Sequence, residues 1–530
     1  MSVRMPDTTS PSPPSLPGRG LRILKRWVLR TLLFFVVAYV VLFAYFHTGT
    51  VNIARNYMAE HNARVAAIPE SDRAWTHYRR AAIELEPLDV NGAGRSFGFA
   101  RPGQAGWEDS KAYLIRNSPQ IDIIRNASKC ENLGVTFIPG GDKEIPSTSG
   151  EFAMPSAQAT DSNPPLMMLG SQHFGKLRHF ARLLQVHVRL AAEQGNADEA
   201  AEDVVSLMRM ARQLRRERGE LSHLMSFAVF AVAANSVAEV LANNPDLLTE
   251  ESLERISNAV SDYAGSSRIT IDFDGERDFT DDVIQRYFTD DGNGDGRVNA
   301  EGVANLSYAA TGTHRPLSLQ EHLFGPVTTF NLASRAEFQA QRDQILARAA
   351  EECATPGWAR KTSPLLDLEK SFDAAPELQT KYAMLSILLP ALRKAAGSVD
   401  RINQDIDTAR ALLAIARYRH RHGSYPSTLS SLDPDLLAQA PLDMFDGQPL
   451  RYTLREAWPL LYSVGSDRRD DGGSLPPPGM QPERAWQLPP LAEPIDWILF
   501  PPIETQDGYI TSPGPWPADR RKPADAPDAR

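Results

Sequence analysis

Cysteine is nearly absent: Cys130 and Cys353 are the two thiols in 530 residues. That leaves room for one long-range disulfide or two free thiols, and it excludes a fold stapled by a disulfide framework. Positive charge is not in excess either. With 56 Lys and Arg against 66 Asp and Glu the net charge is -10 and the pI near 5.7, so the basic footprint of a nucleic-acid partner is missing. Neither His-Glu-x-x-His nor Ser-x-x-Lys occurs, so two common hydrolase signatures are lacking. What is present is a 42% hydrophobic chain long enough for two to four domains with real cores.

One run stands out. Residues 27–46, from Trp27 to Phe46, are apolar except for Arg30 and Thr31, and about 20 helical residues cross a bilayer core. Arg19, Arg22, Lys25, Arg26 and Arg30 precede or open the run, and no Lys or Arg follows until Arg55. The positive-inside rule then predicts a cytoplasmic tail at 1–26, a single crossing through Trp27 to Phe46, and everything after His47 outside the cytoplasm. A cleaved signal peptide is the competing reading, but "FHTGTVN" offers no small-x-small site. A second apolar stretch, Leu224 to Ala242, contains Ser226, Asn235, Ser236 and Glu239 and reads as a buried helix.

Residues 48–395 read as helical. Trp75, Tyr78, Ala82 and Leu85 recur at helical spacing after Ser71, a candidate N-cap, and "NSPQIDIIRNASKC" repeats the pattern with Ser118 as cap and Pro119 at the first helical position. A helical hairpin follows: Leu177, Ala181, Leu184, Val188 and Ala191 on one face, a Gly195-Asn196 turn, then Ala200, Val204, Leu207, Ala211 and Leu214. From Arg401 the character changes. Ile402, Ile406, Ala409, Leu413 and Ala416 form a stripe that stops at Gly423, and "QPLRYTL" and "PLLYSVG" alternate as a strand pair. "DWILF" adds an edge strand, which bounds an α+β module at 401–500, and the proline-rich residues 501–530 read as a disordered tail.

Three motifs bear on chemistry. In "YFTDDGNGDGRVNAEG", Asp291, Asn293 and Asp295 fall at positions 1, 3 and 5 of a calcium loop. Gly296 falls at its sharp turn, the Arg297 carbonyl at 7 and Asn299 at 9. Position 12, which should supply a bidentate Glu, is Gly302, with Glu301 one residue early, so a weak, static site at 291–302 is expected, without the ligand that drives opening in sensors. "GSQHFGKL" matches a phosphate loop except at Leu177, where Ser or Thr must hold magnesium, so no nucleotide is expected. His420 and His422 end a helix, where positive charge is favoured, and have no metal-ligating partner at suitable spacing.

The segment 401–473, with "ARALLAIARYRHRHGSYP", "LSSLDPDLLAQAPLDMFDGQPLRYTL" and "LYSVGSDRRDDGG", resembles the soluble head of type II secretion major pseudopilins. In that family the acidic loop after the last hairpin holds calcium, so the resemblance implies Asp467, Asp470 and Asp471 as ligands. Some 350 residues separate this module from the membrane span, and no prepilin cleavage motif precedes Leu21, unlike a pilus subunit. As a whole the chain resembles a group of uncharacterised bacterial single-pass envelope proteins with one anchor and a helical middle.

The expectation is a mainly α protein with three parts: an N-terminal transmembrane helix, an extracytoplasmic helical region carrying an EF-hand-like loop, and a small C-terminal α+β pseudopilin-like module. Its expected role is binding or assembly at a bacterial inner membrane, with envelope proteins as partners and calcium as a structural ion. An envelope hydrolase with an unmarked site, or an atypical pilin-like secretion component, are the alternatives.

Overall fold

The computed structural model describes residues 18–86, 100–104, 106–139, 141–146, 162–169, 172–290, 292, 296–311, 315–386, 388–465, 467–473, 496–501, 503–504 and 510–512. Helix α1 (Gly18–Phe46) leaves its apolar side chains, such as Leu29, Phe34 and Val37, outside the core, and only its last residue, Phe46, is buried. Its length and composition suit a membrane anchor, and they would equally suit a signal sequence.

Helices α2 (Tyr57–Ala66), α3 (Ala74–Glu84), α4 (Trp107–Arg116) and α5 (Ser118–Ser128) come next. Two starts differ from the sequence expectation. Helix α3 is preceded by a 3-10 turn that holds Ser71, and its first amides, of Ala74 and Trp75, donate to the carbonyls of Asn132 and Leu133. Those carbonyls satisfy the orphan donors that an N-cap would otherwise take. Helix α5 is capped at Asn117, which leaves Ser118 inside the first turn.

The hairpin α6 (Gln172–Glu193) and α7 (Ala197–Arg215) forms as its periodicity predicts, with Gly195 at φ +73° and the Asn196 side chain capping α7. All ten residues of the two expected stripes are buried. Helix α8 (Glu220–Asn243) is also apolar enough to cross a membrane, yet it packs against α6 and α7, and Glu239 pairs with Arg101 and Arg189 inside the bundle. A helix apolar on all sides is a core helix when its neighbours surround it. Helix α9 (Glu250–Ala264) closes this layer from a Thr249 cap.

Helices α10 (Asp274–Tyr287) and α11 (Ala300–Thr311) flank the loop 288–299. They lead to α12 (Leu319–Thr329), α13 (Arg335–Ala354), α14 (Pro364–Asp373) and the short α15 (Pro376–Lys381) and α16 (Ala383–Ser386). Helix α17 (Leu389–His422) then runs 34 residues, about 50 Å at 1.5 Å per residue. It packs against α8 and α9, and against α13 and α14. The boundary expected at 395–401 therefore falls inside one continuous helix. Because α17 has neighbours on several sides, it buries Leu412, Ala414 and Ile415 as well as the expected stripe.

After Gly423, at φ +73°, the chain forms a three-stranded antiparallel sheet in the order β1 (Arg451–Arg455), β2 (Trp458–Ser463), β3 (Trp497–Phe500). The stretch "DWILF" is thus the edge strand expected of it. Its Trp497 ring lies under the Arg401 guanidinium, and the Met444 amide donates to Gln404, which together hold the sheet to α17. Within 501–530 the described residues include a further antiparallel pair, β4 (Ile503–Glu504) and β5 (Ile510–Ser512), where a structureless tail was expected. Both cysteines are free thiols, Cys353 buried and Cys130 half-buried.

Candidate functional site

The calcium-like stretch is the first candidate. Asp291, Asn293 and Asp295 lie outside the described residues; Arg297, Asn299 and Glu301 do not. The Arg297 carbonyl accepts the Thr289 amide at 2.9 Å and the Thr289 hydroxyl at 3.1 Å, which uses both its lone pairs. The Asn299 Oδ1 accepts the Gly302 amide at 3.0 Å and so caps α11, while its Nδ2 donates to the carbonyls of Thr48 and Gly49. Glu301 is exposed on the first turn of α11.

Gly302 explains the missing position-12 ligand. A Cβ there would fall inside the van der Waals envelope of the Tyr287 carbonyl oxygen, because α11 rests its first turn on the end of α10. Gly296 is pressed on the Thr289 carbonyl in the same way. In the described half of the loop the Arg297 carbonyl and the Asn299 side chain are thus engaged by protein groups, while Glu301 is not.

Those contacts serve a different purpose. Val51 bridges Thr289, the Asp290 amide donates to the Thr50 carbonyl at 3.1 Å, and Asn299 holds residues 48 and 49. Arg335 adds an ion pair to Asp290 at 3.1 Å and its amide donates to the Gly296 carbonyl at 2.7 Å. The loop is a clamp on the segment that leaves α1, formed by residues about 240 positions away in sequence.

In the C-terminal module the acidic loop turns its carboxylates to nearby donors. Asp467 accepts the Arg469 amide, and Asp470 accepts the Gly472 amide and the Tyr462 hydroxyl at 3.0 Å each. The Asp471 amide donates to buried Asp496, which also takes the Gly473 amide at 2.7 Å. Asp443, fully buried, accepts from Ser463, Val464 and Phe445. No group of three His, Cys, Asp or Glu side chains that could hold a metal ion occurs among the described residues.

A cleft of about 230 Å³ opens between α3, the segment 134–142 and the start of α6. Its wall carries Arg79, paired with Asp142 and Glu144, and His173, buried and pushed down to about 3 by desolvation and by His61 nearby. The stretch "GSQHFGKL" contributes Gln172 and His173 here. Gly170 and Ser171 lie outside the described residues, and Lys176, in the first turns of α6, donates to the Pro146 carbonyl.

Sequence reasoning missed three features. His187 Nδ1 meets Asp203 at 2.6 Å, and Arg125 Nε donates to the same carboxylate at 2.7 Å; the pair spans the α6–α7 seam, and no spacing rule marks it. "GRSFG", residues 94–98, spells Gly-x-Ser-x-Gly. It lies outside the described residues.

Third, Glu276 is half-buried where α10 meets the start of α8, its Oε1 accepting the Glu220 amide at 2.5 Å. Burial raises it from 4.5 to about 7 and raises Glu220 as well. Between those values the folded state holds the proton that the unfolded chain has released. The stability contributed by the neutral acid is therefore present below about pH 4.5 and lost as pH rises through about 7. Glu276→Gln keeps the acceptor and removes the charge. It is expected to stabilise the fold by about 2 kcal/mol at pH 8 and by much less at pH 5, read from chemical denaturation at both; an equal effect at the two pH values counts against this assignment.

No family model, no curated protein and no solved structure matches this chain.

Proposed function

We propose that this chain is a single-pass envelope protein with its N-terminus in the cytoplasm and its helical bundle and sheet module outside. There it serves as a binding or assembly platform for other envelope proteins. The observation that carries the reading is the junction just described. An apolar helix that contributes only Phe46 to the core is joined to the body by a short segment held from three sides, by Thr289, Asn299 and, through Asp290, Arg335. A cleavable leader has no need of such a clamp. The one-sided basic flank supports the orientation.

The order of elements after Arg401, a helix leading into an antiparallel sheet, supports the likeness to pseudopilin heads and hence an assembly role. Calcium as a structural ion at 291–302 is the further part of this reading, and the assembly role does not depend on it. The hydrolase alternative would be favoured by a cleft lined with paired carboxylates of displaced pKa. Glu220 and Glu276 are such a pair, but they sit at the α8–α10 junction and not on the cleft described above.

The test is a pair of full-length reporter fusions after Arg530, one active only outside the cytoplasm and one only inside. External activity with the chain retained in carbonate-washed membranes is expected. Internal activity overturns the orientation, and release of a shortened chain from the membrane overturns the anchor.

A further inference from the structure

We propose that α12, with Phe330, is a second membrane element: it lies along the outer leaflet beside α1 and its partner is lipid. This rests on the anchor reading of α1. The position of α12 follows from three contacts. The Tyr39 hydroxyl donates to the Leu323 carbonyl at 2.9 Å. His47 stacks on His322 with ring centroids 5.6 Å apart and nitrogens at 3.3 Å. Phe46 fills the space over Gly325, where a Cβ would stand 2.5 Å from its ring.

These contacts set α12 against the last two turns of α1. Tyr39 precedes Phe46 by seven residues, about 10 Å at 1.5 Å per residue. If residues 27–46 cross the hydrocarbon, the middle of α12 lies within about 10 Å of its outer edge, the depth at which interfacial helices settle.

The side chains suit that depth. Leu319, Leu323 and Val327 form an i, i+4, i+8 row, with Phe330 continuing it and Phe324 beside it. All five are exposed, from 45% at Leu323 to 76% at Leu319. Elsewhere outside α1, exposed large apolar side chains among the described residues are isolated in sequence, as at Ile115, Leu221 and Leu442, and single ones are ordinary.

Polar side chains on the second half of α12 find partners within the helix. Thr328 and Thr329 donate their hydroxyls to the carbonyls of Phe324 and Gly325, so they bring no unmet donor into lipid. Glu321 is held in the first turn by a bidentate pair to Arg315 and by the Ser318 capping box. The charge at this end of α12 is thereby paired. Continuity with the anchor selects lipid as the occupant over a soluble partner.

The full chain can be tested in nanodiscs that hold one copy each. Cys130→Ser removes the half-buried thiol; Cys353 is buried, its thiol pushed up to about 12, and does not label. An environment-sensitive fluorophore is then attached at Phe324→Cys, with Val37→Cys as the anchor reporter and Leu442→Cys as the water reference. Spin-labelled lipid is expected to quench positions 37 and 324 several-fold more than position 442, while iodide quenches only 442. Quenching of 324 by iodide, or by neither agent because protein covers it, overturns the proposal while a lipid-quenched position 37 leaves the anchor standing. Iodide quenching at 37 overturns the anchor itself.

Discussion

Gly302→Glu completes the twelve-position calcium pattern in sequence, and it is expected to cost stability and to gain no ion. The substituted Cβ meets the Tyr287 carbonyl oxygen, a backbone atom that cannot rotate away. Either α11 lifts from α10 or the turn 287–289 shifts, and the second route loosens the Thr289 contacts to Arg297 and Val51. Overpacking at a buried backbone contact, with a carboxylate added, destabilises by roughly 3 kcal/mol or more. The position-7 carbonyl and the position-9 side chain remain engaged, so the new Glu finds no half-built shell. Denaturant melts with and without millimolar calcium check this. A variant as stable as the parent, or one that calcium stabilises far more than the parent, would reverse the assignment of this loop as a clamp.

The second large effect concerns the C-terminal module. Residues 401–530 expressed alone are expected not to fold cooperatively, whereas residues 48–530 are expected to melt as a cooperative unit. Cutting at 401 divides α17 and strips its remaining turns of α8, α9, α13 and α14. Ile402, Ile406, Leu412, Leu413 and Ile415 are all at most 3% exposed in the whole chain. Burial of each stabilises by about 1.5–3 kcal/mol, so losing their cover removes on the order of 10 kcal/mol, comparable to the stability of a whole domain. The sheet shares this apolar core and is tied to α17 by Arg401 on Trp497 and Met444 on Gln404, but α8, α9, α13 and α14 contact α17 far more extensively than any strand does. A sharp thermal transition in the isolated segment, with dispersed amide resonances, would show an independent module.

The continuity of α17 through 395–401 has a physical cause. "KAAGSVDR" places Gly397 and Ser398 at the change of character, and both residues weaken a helix taken alone. Packing overrides them: Val399 is fully buried, and buried Asp400 receives Arg360 at 2.7 Å and the Gly357 amide at 3.2 Å. Propensity is worth about 1 kcal/mol at a glycine, and tertiary contacts of this kind outweigh it.

By itself the sequence determined whatever depends on near neighbours. The α6–α7 hairpin is legible because its stripes repeat every 3.6 residues and a Gly-Asn pair supplies the turn and the cap. The β1–β2 pair is legible from alternation, and the apolar span from hydropathy alone. Tertiary structure alone decided the rest. An Asp, Asn and Gly-rich loop shows nothing of the segment it holds until the approach of residues 48–51 is known. The row of exposed apolar residues on α12 acquires meaning only once Tyr39 is seen to hold it beside α1. In both cases the deciding partner lies more than 200 residues away in sequence, beyond any local spacing rule, and only the folding of the chain brings the two together.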